Sequence, residues 1–309
     1  MPEDRDDTRR SSGPKTDATR LRVGCPVWAC EHWRGRFYTR KAKRAEFLPQ
    51  YSRAFGIVEG NSTFYALPSA ESVRRWAEST ASGFRFSLKL PRAITHDRRL
   101  VNANVESRAF LSLLQVLAEE DRLGPSFLQL PPNFSADEYA ALRDYLRKWP
   151  REFPLAVEPR HRDWFDDADR ENAFDSLLAH HQMERVLLDS RALYANPPTT
   201  DHERVSQTRK PRVPRRTTVI GTQPFVRFIG RDDIDQAQPW IDEWAEVVAG
   251  WLDRGLDPFV FCHAPDDQFA PAFCRRFVET LRRLRPGVEP IGPFPGEEEE
   301  APAEQLSLF

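Results

Sequence analysis

The sequence lacks the features that mark a membrane or secreted protein. Its 309 residues contain no apolar run near the roughly 20 residues that a membrane-spanning helix needs. Residues 1–20 lack the apolar centre of a secretory signal. The four cysteines are too few and too unevenly spaced for a disulfide framework or a paired zinc motif. We therefore expect a cytoplasmic protein with reduced thiols and no membrane partner.

A large excess of one charge is also missing. The chain carries 45 basic and 47 acidic side chains, which excludes a protein that coats nucleic acid through charge alone. Its two ends differ from the rest, because residues 1–20 are polar with mixed charge and residues 296–309 begin with a run of glutamates. We interpret them as a disordered leader and an acidic tether, which leaves residues 21–295 as the folded domain.

What the domain does contain is a repeated pattern of short apolar runs rich in β-branched and aromatic residues. Most of these runs are followed by a helix-like pattern, and strand–helix alternation predicts a parallel sheet. Eight such units in a domain of this length predict the α/β class and a single (β/α)8 TIM-type barrel. The eight runs lie at residues 21–27, 56–63, 84–91, 125–132, 154–161, 185–190, 224–230 and 258–265.

Two helix starts and one irregular segment can also be predicted. Ser69 and Ser135 each precede a helical pattern and are expected to be N-caps. Between Asp189 and Phe225 the chain is rich in proline and arginine and lacks an apolar face, so we expect a long surface loop in place of the sixth helix. Its arginines and Lys210 could grip phosphates or simply be solvated.

Polar side chains gather where the predicted strands end. Strands buried on both faces should be apolar, and an unpaired charge there would cost several kcal/mol. Either these groups neutralise one another or they bind a ligand in the mouth of the barrel, where the chemistry of this fold takes place. The residues are Trp28, Glu59, Asn61, Lys89, Gln129, Glu158, Arg160, His161, Asp189, Arg227 and His263.

The motifs VGCPVWACEHWRGRFY, VEGNSTFYALP, FRFSLKLPRAITH, FLQLPPNF and AVEPRHRDWF resemble the YecE-like family, also called domain of unknown function 72. The resemblance covers residues 21 to about 285 and implies a TIM-type barrel of unestablished activity. It also implies a set of characteristic positions. They are Trp28, Trp33, Glu59, Asn61, Thr63, Phe64, Tyr65, Lys89, His96, Gln129, Glu158, Arg160, His161 and Trp164.

This chain departs from the commoner family pattern on two strands. Many members end the seventh strand with a histidine, where this chain has Ile229, and many carry an asparagine pair on the eighth, where it has Cys262 and His263. We expect His263 to take the place of the absent histidine from the neighbouring strand.

The mixed charges suit an anionic ligand, because arginine matches phosphate or carboxylate through paired hydrogen bonds. We assign catalytic roles to Glu59, Lys89, Glu158 and His161. A divalent metal held by strand-end ligands stays open as a cofactor, although the sequence has few histidines. We assign ligand binding to Trp28, Trp33, Asn61, Tyr65, His96, Gln129, Arg160, Asp189, Arg227 and His263.

The last five residues suggest a protein partner. Gln305, Leu306, Ser307, Leu308 and Phe309 resemble the peptide by which bacterial polymerases and repair proteins attach to the β sliding clamp, and they follow a charged tether. Gln305, Leu306, Leu308 and Phe309 would make the contacts.

A clamp-binding tail leads to the hypothesis of a DNA-maintenance enzyme that hydrolyses a phosphodiester or related bond in a nucleic acid or phosphorylated fragment. The first loop interleaves aromatic and basic residues, which suits nucleic acid but also suits a packed loop with a basic face. Two alternatives stay open. One is a non-catalytic DNA- or nucleotide-binding module, and the other is a sugar-directed enzyme with Glu59 and Glu158 as acid and base.

Overall fold

The computed structural model describes residues 20–300 and shows an α/β fold built on parallel strands. Each of the eight predicted runs contains a strand. The eight strands are β1 Arg22–Gly24, β2 Ile57–Gly60, β3 Arg85–Leu88, β4 Ser126–Gln129, β5 Leu155–Glu158, β6 Glu184–Asp189, β7 Phe225–Ile229 and β8 Phe259–His263.

The strands form two sheets. Six of them make a parallel sheet in the order β1-β8-β7-β6-β5-β4, and β2 pairs with β3 in a parallel two-stranded sheet. Between the sheets, the amide of Glu59 donates to Cys25 O at 3.0 Å, and the amide of Leu90 donates to Phe127 O at 3.0 Å. Gly24 lies against the Ile57 carbonyl, where a Cβ atom would collide. Glycine therefore lets β1 approach β2 closely.

The strands are almost entirely buried, as expected for parallel strands covered on both faces. Side chains from six strands meet in an inner apolar cluster, which places β2 opposite strands of the larger sheet. The cluster consists of Ile57, Phe127, Ala156, Val186, Phe225, Phe259 and Phe261. Because side chains alternate along a strand, residues two positions further along β2, β4, β5, β7 and β8 share this inner face. Because of this alternation, five polar side chains point toward the same inner space at the C-terminal ends of these strands. They are Glu59, Gln129, Glu158, Arg227 and His263.

Ten α-helices lie within the described residues, with short 3-10 or π turns after most strands. The predicted caps are confirmed, because the Ser69 hydroxyl accepts from the Ser72 amide and the Ser135 hydroxyl accepts from the Asp137 amide. The helices are α1 Arg44–Ala54, α2 Ala70–Glu78, α3 Asn104–Glu119, α4 Tyr139–Leu146, α5 Ala168–His180, α6 Arg191–Tyr194, α7 Asp201–Arg209, α8 Gln238–Asp253, α9 Ala270–Leu284 and α10 Pro295–Glu300.

The segment after β6 differs from the predicted loop, because it contains the helices α6 and α7 before an irregular stretch. Its low apolar content hid these helices, which are held instead by buried polar contacts. Arg231 donates to both carboxylate oxygens of Glu203, at 3.1 and 2.7 Å, and both side chains are fully buried. The Thr200 hydroxyl donates to Asp232 at 2.5 Å. These contacts fix α7 beside β7.

The predicted tether boundary at residue 296 is also displaced. Residues 295–300 form α10, which lies against the domain instead of extending from it. Its glutamates find basic partners: Glu297 pairs with Arg275 at 2.7 Å, and Glu298 pairs with Arg53 at 2.8 Å. The leader at residues 1–19 and the clamp-binding peptide at residues 305–309 lie outside the described residues, so those two predictions stay untested.

No helix between residues 20 and 300 has both the length and the apolar character that crossing a membrane requires.

Candidate functional site

A cavity of about 870 Å³ opens at the C-terminal ends of the strands. This volume lies in the range of pockets for small ligands and cofactors. The sequence-predicted residues that line it are Trp28, Glu59, Asn61, Tyr65, Lys89, His96, Gln129, Glu158, Arg160, Arg227 and His263. The side-chain alternation described above explains why groups from five strands converge there.

The floor of the cavity consists of Arg227 and two carboxylates, Glu59 and Glu158. Arg227 makes a two-point contact with Glu59, with Nε donating to Oε2 and Nη2 to Oε1, both at 2.8 Å. Its third nitrogen, Nη1, donates to Glu158 Oε2. All three side chains are buried. Such contacts favour the charged forms, and one guanidinium therefore holds two carboxylates together.

Glu59 has no free position for a further partner. In addition to Arg227, Asn61 Nδ2 donates to Oε1 at 2.7 Å, and His263 Nε2 lies 3.2 Å from Oε2. His263 therefore does reach the network from the eighth strand, while Ile229 is buried and apolar. Burial alone would raise the pKa of Glu59, but the charges of Arg227 and His263 outweigh it and hold that pKa well below its ordinary value.

Glu158 is held in a similar way on the other side of Arg227. Gln129 Nε2 donates to its Oε1 at 2.8 Å, and Arg160 Nε lies 3.7 Å from the same oxygen. Burial opposes ionisation of Glu158, but the charges of Arg227 and Arg160 outweigh it and lower the pKa. Both carboxylates are therefore ionised and already bonded, which makes each a weak base.

Lys89 projects into the cavity beside Glu158. Its Nζ donates to Gln129 Oε1 at 2.7 Å and lies 3.9 Å from the centre of the Phe64 ring. Burial, followed by the charge of Arg227, lowers the pKa of Lys89 to about 7. The amine has three donors in its charged form, so two remain for a ligand.

Arg160 also presents unused donors. Its Nη2 donates to Arg209 O at 2.7 Å, but its buried Nε atom makes no hydrogen bond in the part of the chain that the structure describes. The side chain is only 10% exposed. A buried donor without a partner is costly, and a ligand oxygen at this position would relieve that cost.

Aromatic side chains form the rim of the cavity. Tyr65 is 80% exposed, which is unusual for so large an apolar surface. Trp28 packs edge-to-face on Trp76, with ring centres 5.2 Å apart. Beside them, burial and the charge of Lys89 lower the pKa of His96 to about 4, so its ring is neutral near pH 7.

Three predicted site residues lie away from the cavity. Trp33 is 1% exposed and packs among aromatic core residues, as do Phe37 and Tyr38, so these three rings of the first loop are not a stacking platform. His161 caps the turn that follows β5 by accepting from the Asp163 amide. Asp189 accepts from Trp244 Nε1 at 2.8 Å and pairs with Arg191, because its neighbour Leu188 takes the inner face of β6.

The structure also adds residues that the strand-end pattern did not include. Asp201, His202 and Lys210 line the cavity from α7 and the residue after it, and Asp267 lines it from the loop after β8. The cluster of bases around Lys210 was a usable signal. Asp267 had a weaker signal, since it lies four residues beyond His263 in the loop that follows β8 at the same end of the sheet.

Residues 20–300 hold no group of three or more histidine, cysteine, aspartate or glutamate side chains arranged to bind a metal ion. Glu59 would have to break existing hydrogen bonds to act as a metal ligand.

The cysteine thiols do not form a metal site within the described residues either. Cys25 and Cys274 are buried with their sulfurs 3.6 Å apart, below β1 and α9.

The family described as "Protein of unknown function DUF72" matches residues 22–298. The chain belongs to the DUF72 family. The UPF0759 protein YecE of Escherichia coli (strain K12) is 35% identical over 287 residues, which cover 93% of this chain and 99% of YecE. The UPF0759 protein YunF of Bacillus subtilis (strain 168) is 26% identical over 220 residues, or 68% of this chain and 71% of YunF.

Two solved DUF72 structures share the fold. The DUF72 family protein from Thermotoga maritima has a TM-score of 0.63 at 22% identity and matches 85% of this chain and 98% of that one. A DUF72 family protein from Enterococcus faecalis has a TM-score of 0.64 at 16% identity, and the match covers 85% of this chain and 95% of that one. Similarity at this level of identity concerns the fold, so the chemistry of the DUF72 site has to be argued from its geometry.

Proposed function

We propose that this cavity is the mouth of a closed eight-stranded barrel and binds a small ligand that carries a phosphate group. The observation that carries the proposal is the buried Nε of Arg160, which makes no hydrogen bond within residues 20–300 and lies near the two spare donors of Lys89. Phosphate has enough acceptor oxygens to satisfy both side chains. Glu59 and Glu158 are already hydrogen-bonded to Arg227, and the 3.7 Å between Glu158 Oε1 and Arg160 Nε is too long for a hydrogen bond, so this donor is left for a phosphate oxygen.

Closure of the barrel is supported by three observations. Main-chain hydrogen bonds join β1 to β2 and β3 to β4 across the two gaps between the sheets. Gly24 allows the first of these close approaches. The inner apolar cluster contains residues of both sheets. A closed barrel would bring all the strand-end side chains to one rim.

The reaction that we infer is hydrolysis of a phosphodiester or related bond. An open cavity of this size suits a nucleotide, or one nucleotide drawn out of a nucleic-acid strand, better than an intact duplex. The exposed Tyr65 ring at the rim supports this reading, because a base can stack on it.

A sugar-directed reaction has less support. A glycosidase needs one carboxylic acid with a raised pKa, and both Glu59 and Glu158 have lowered values because of Arg227. The residues of the cavity floor and rim also fit a protein that binds its ligand without catalysis. Only a measurement of turnover distinguishes such a protein from an enzyme.

Binding should be measured by calorimetry with inorganic phosphate, nucleoside monophosphates and the matching nucleosides. We expect the phosphorylated compounds to bind and the nucleosides to bind far more weakly. Arg160→Met and Lys89→Met should each weaken phosphate binding by about tenfold to a hundredfold, the value of a charge-assisted hydrogen bond. Lys148→Met, at an exposed lysine, is the matched control. Equal affinity for nucleosides and nucleotides would contradict the proposal.

Turnover is a separate question. Incubating the purified protein with single-stranded, nicked and flap-containing DNA, with and without divalent metals, should release a phosphorylated product if it is an enzyme. Binding without product in every condition would favour the non-catalytic module.

We also propose that residues 305–309 attach the protein to the β sliding clamp and so place this cavity at DNA. α10 ends at Glu300 on the surface formed by α1 and α9, which leaves nine residues to reach a partner. Calorimetry with purified clamp should give micromolar binding that Leu308→Ala combined with Phe309→Ala removes. Equal binding by a chain that stops at Glu300 would contradict clamp recruitment without affecting the phosphate site.

A further inference from the structure

We propose that Lys210 and Asp267 are the proton-transfer pair of this cavity, acting on a phosphate ester that Lys89 and Arg160 hold. The inference rests on the phosphate-binding function proposed above. It moves the acid–base chemistry from the carboxylates at the strand ends to two side chains on the loops above them.

The first reason is that the floor carboxylates are occupied. Glu59 accepts from Arg227 and Asn61 and lies within 3.2 Å of His263, and Glu158 accepts from Arg227 and Gln129. A proton taken up by either one would have to displace a hydrogen bond to a cation that is buried with it. General bases need a free lone pair within reach of the substrate.

The second reason is that Lys210 and Asp267 are free. Both line the cavity, and within residues 20–300 neither side chain makes a hydrogen bond or an ion pair. The charge of Lys210 nevertheless lowers the pKa of Asp267, although no hydrogen bond or ion pair joins the two side chains.

The third reason is that both residues stand on anchored backbone. The Tyr194 hydroxyl lies within hydrogen-bond distance of the carbonyls of Lys210 and Gln207, and Arg231 holds Glu203 about two turns before Lys210. On the other side, Trp33 Nε1 donates to the Asp267 carbonyl at 2.9 Å. Trp33, which does not line the cavity, would thus act as a positioning residue for Asp267.

The pKa values of Lys210 and Asp267 suit proton transfer near neutral pH. Enclosure by the surrounding protein, followed by the charge of Arg227, lowers the pKa of Lys210 to about 8, and Glu59, Glu158 and Arg160 also face it. Enclosure raises the pKa of Asp267 to about 6, although water reaches its carboxylate, with Lys210, Asp266, Glu59 and His202 facing it. Near pH 7 the ammonium can donate and the carboxylate can accept, which is the condition for efficient general acid–base catalysis.

In hydrolysis of the ester, Asp267 would accept a proton from water as the water oxygen forms its bond to phosphorus. The bond between phosphorus and the ester oxygen breaks, and Lys210 gives its proton to that oxygen. The alcohol and the phosphate then leave, and a proton passes from Asp267 back to Lys210 through solvent. Atoms and charge balance without any further reactant.

The test exploits the fact that the chain has only six lysines. The full-length protein is treated with pyridoxal or pyridoxal 5′-phosphate, the imine is reduced with borohydride, and labelled sites are mapped by mass spectrometry. Only a neutral amine reacts, and enclosure lowers the pKa of Lys210 to about 8, so at pH 7 Lys210 should be labelled at least about tenfold faster than the exposed Lys148. Labelling of Lys210 against pH should have its midpoint near 8.

Asp267→Asn then tests the pairing. Removing the carboxylate removes a charge that favours the ammonium, so the labelling midpoint of Lys210 should fall. Reciprocally, Lys210→Met should raise the pKa of Asp267, which can be followed by ¹³C NMR of the carboxyl. Labelling of Lys210 no faster than that of Lys148, or midpoints that the partner substitution does not move, would overturn the pair.

The two probes separate this inference from the phosphate site. Faster labelling by pyridoxal 5′-phosphate than by pyridoxal, lost in Arg160→Met, supports phosphate binding. Equal labelling by both probes, with the Lys210 midpoint near 8 and sensitive to Asp267→Asn, would retain an acid–base pair in the cavity and remove its phosphate-ester substrate.

Discussion

The floor of the cavity and the wall above it carry charge in opposite ways. On the floor, Glu59, Glu158 and Arg227 satisfy one another so completely that few atoms are left for a ligand. On the wall, Lys210 and Asp267 share the cavity but have no hydrogen-bond or ion-pair partner within residues 20–300. The difference shows that charged side chains at the ends of parallel strands can have two separate roles. Paired charges shape the site, and unpaired charges are available for chemistry.

Removing the floor cation should have the largest effect. Arg227→Met leaves buried Glu59 without its guanidinium partner and Glu158 with only the longer ion pair to Arg160 at 3.7 Å, and breaking a buried ion pair costs about 3–5 kcal/mol. We expect the free energy of unfolding, measured in urea at pH 7, to fall by at least that amount. Arg92→Met, at an exposed arginine on the same rim, is the matched control and should cost less than about 1 kcal/mol. Similar losses in both variants would mean that the floor is not an ion-pair network.

The pH dependence of that loss sharpens the comparison. In the native chain, Arg227 keeps the pKa values of Glu59 and Glu158 below their unfolded values near 4.3, so their contribution to stability is present above that pH and is lost as the pH falls. Without Arg227, burial dominates and raises both pKa values, so the neutral forms are favoured at low pH. The deficit of Arg227→Met should therefore shrink between pH 7 and pH 4.5. A constant deficit in urea titrations at the two values would contradict this account.

Within the floor, the two carboxylates should differ. Glu59→Gln disturbs a two-point contact with Arg227 and the contacts with Asn61 and His263, whereas Glu158→Gln disturbs one contact with Arg227 and one with Gln129. We expect each change to lower the free energy of unfolding by about 1–3 kcal/mol, with the larger loss for Glu59→Gln. If Glu158→Gln were fully stable but abolished turnover, Glu158 would be a reacting group, and the floor would have to be reassigned.

The sequence predicted much of the frame and of the floor. Apolar runs located all eight strands, and the period of two along each strand explains why Glu59, Gln129, Glu158, Arg227 and His263 meet. The same period shows why Asp189 does not join them, since it is an outward position on β6. If the alternation of side chains along β6 had been considered, Asp189 would have been excluded from the predicted site.

The wall was harder to predict, and the reason is physical. α7 has almost no apolar face, so periodicity could not reveal it, and its position depends on the buried pair of Arg231 and Glu203, which are 28 residues apart. Trp33 shows the opposite kind of error, because the sequence predicted a ligand-binding role for a side chain that is buried. Its loop has the composition of a nucleic-acid-binding surface, but its ring is buried because α1 and the first loop pack an aromatic core around it. Long-range contacts decide such positions, and a local pattern does not contain them.

The smallest loss of stability is expected for substitution of Lys210 in the wall of the cavity. Lys210→Met should not lower the free energy of unfolding at pH 7 and should raise it, because the Lys210 amine has no partner to lose and a lysine whose pKa is lowered by burial destabilises the fold in its charged form. The measurement is urea unfolding at pH 7 beside Arg227→Met, with circular dichroism to confirm an unchanged fold and Lys148→Met as the exposed lysine control. Lys210→Met should be at least as stable as Lys148→Met, while only Lys210→Met loses the pyridoxal adduct that titrates near pH 8. A loss of 2 kcal/mol or more would show that Lys210 is held by a partner in solution; it would then belong with the paired floor residues and could not serve as a free proton donor.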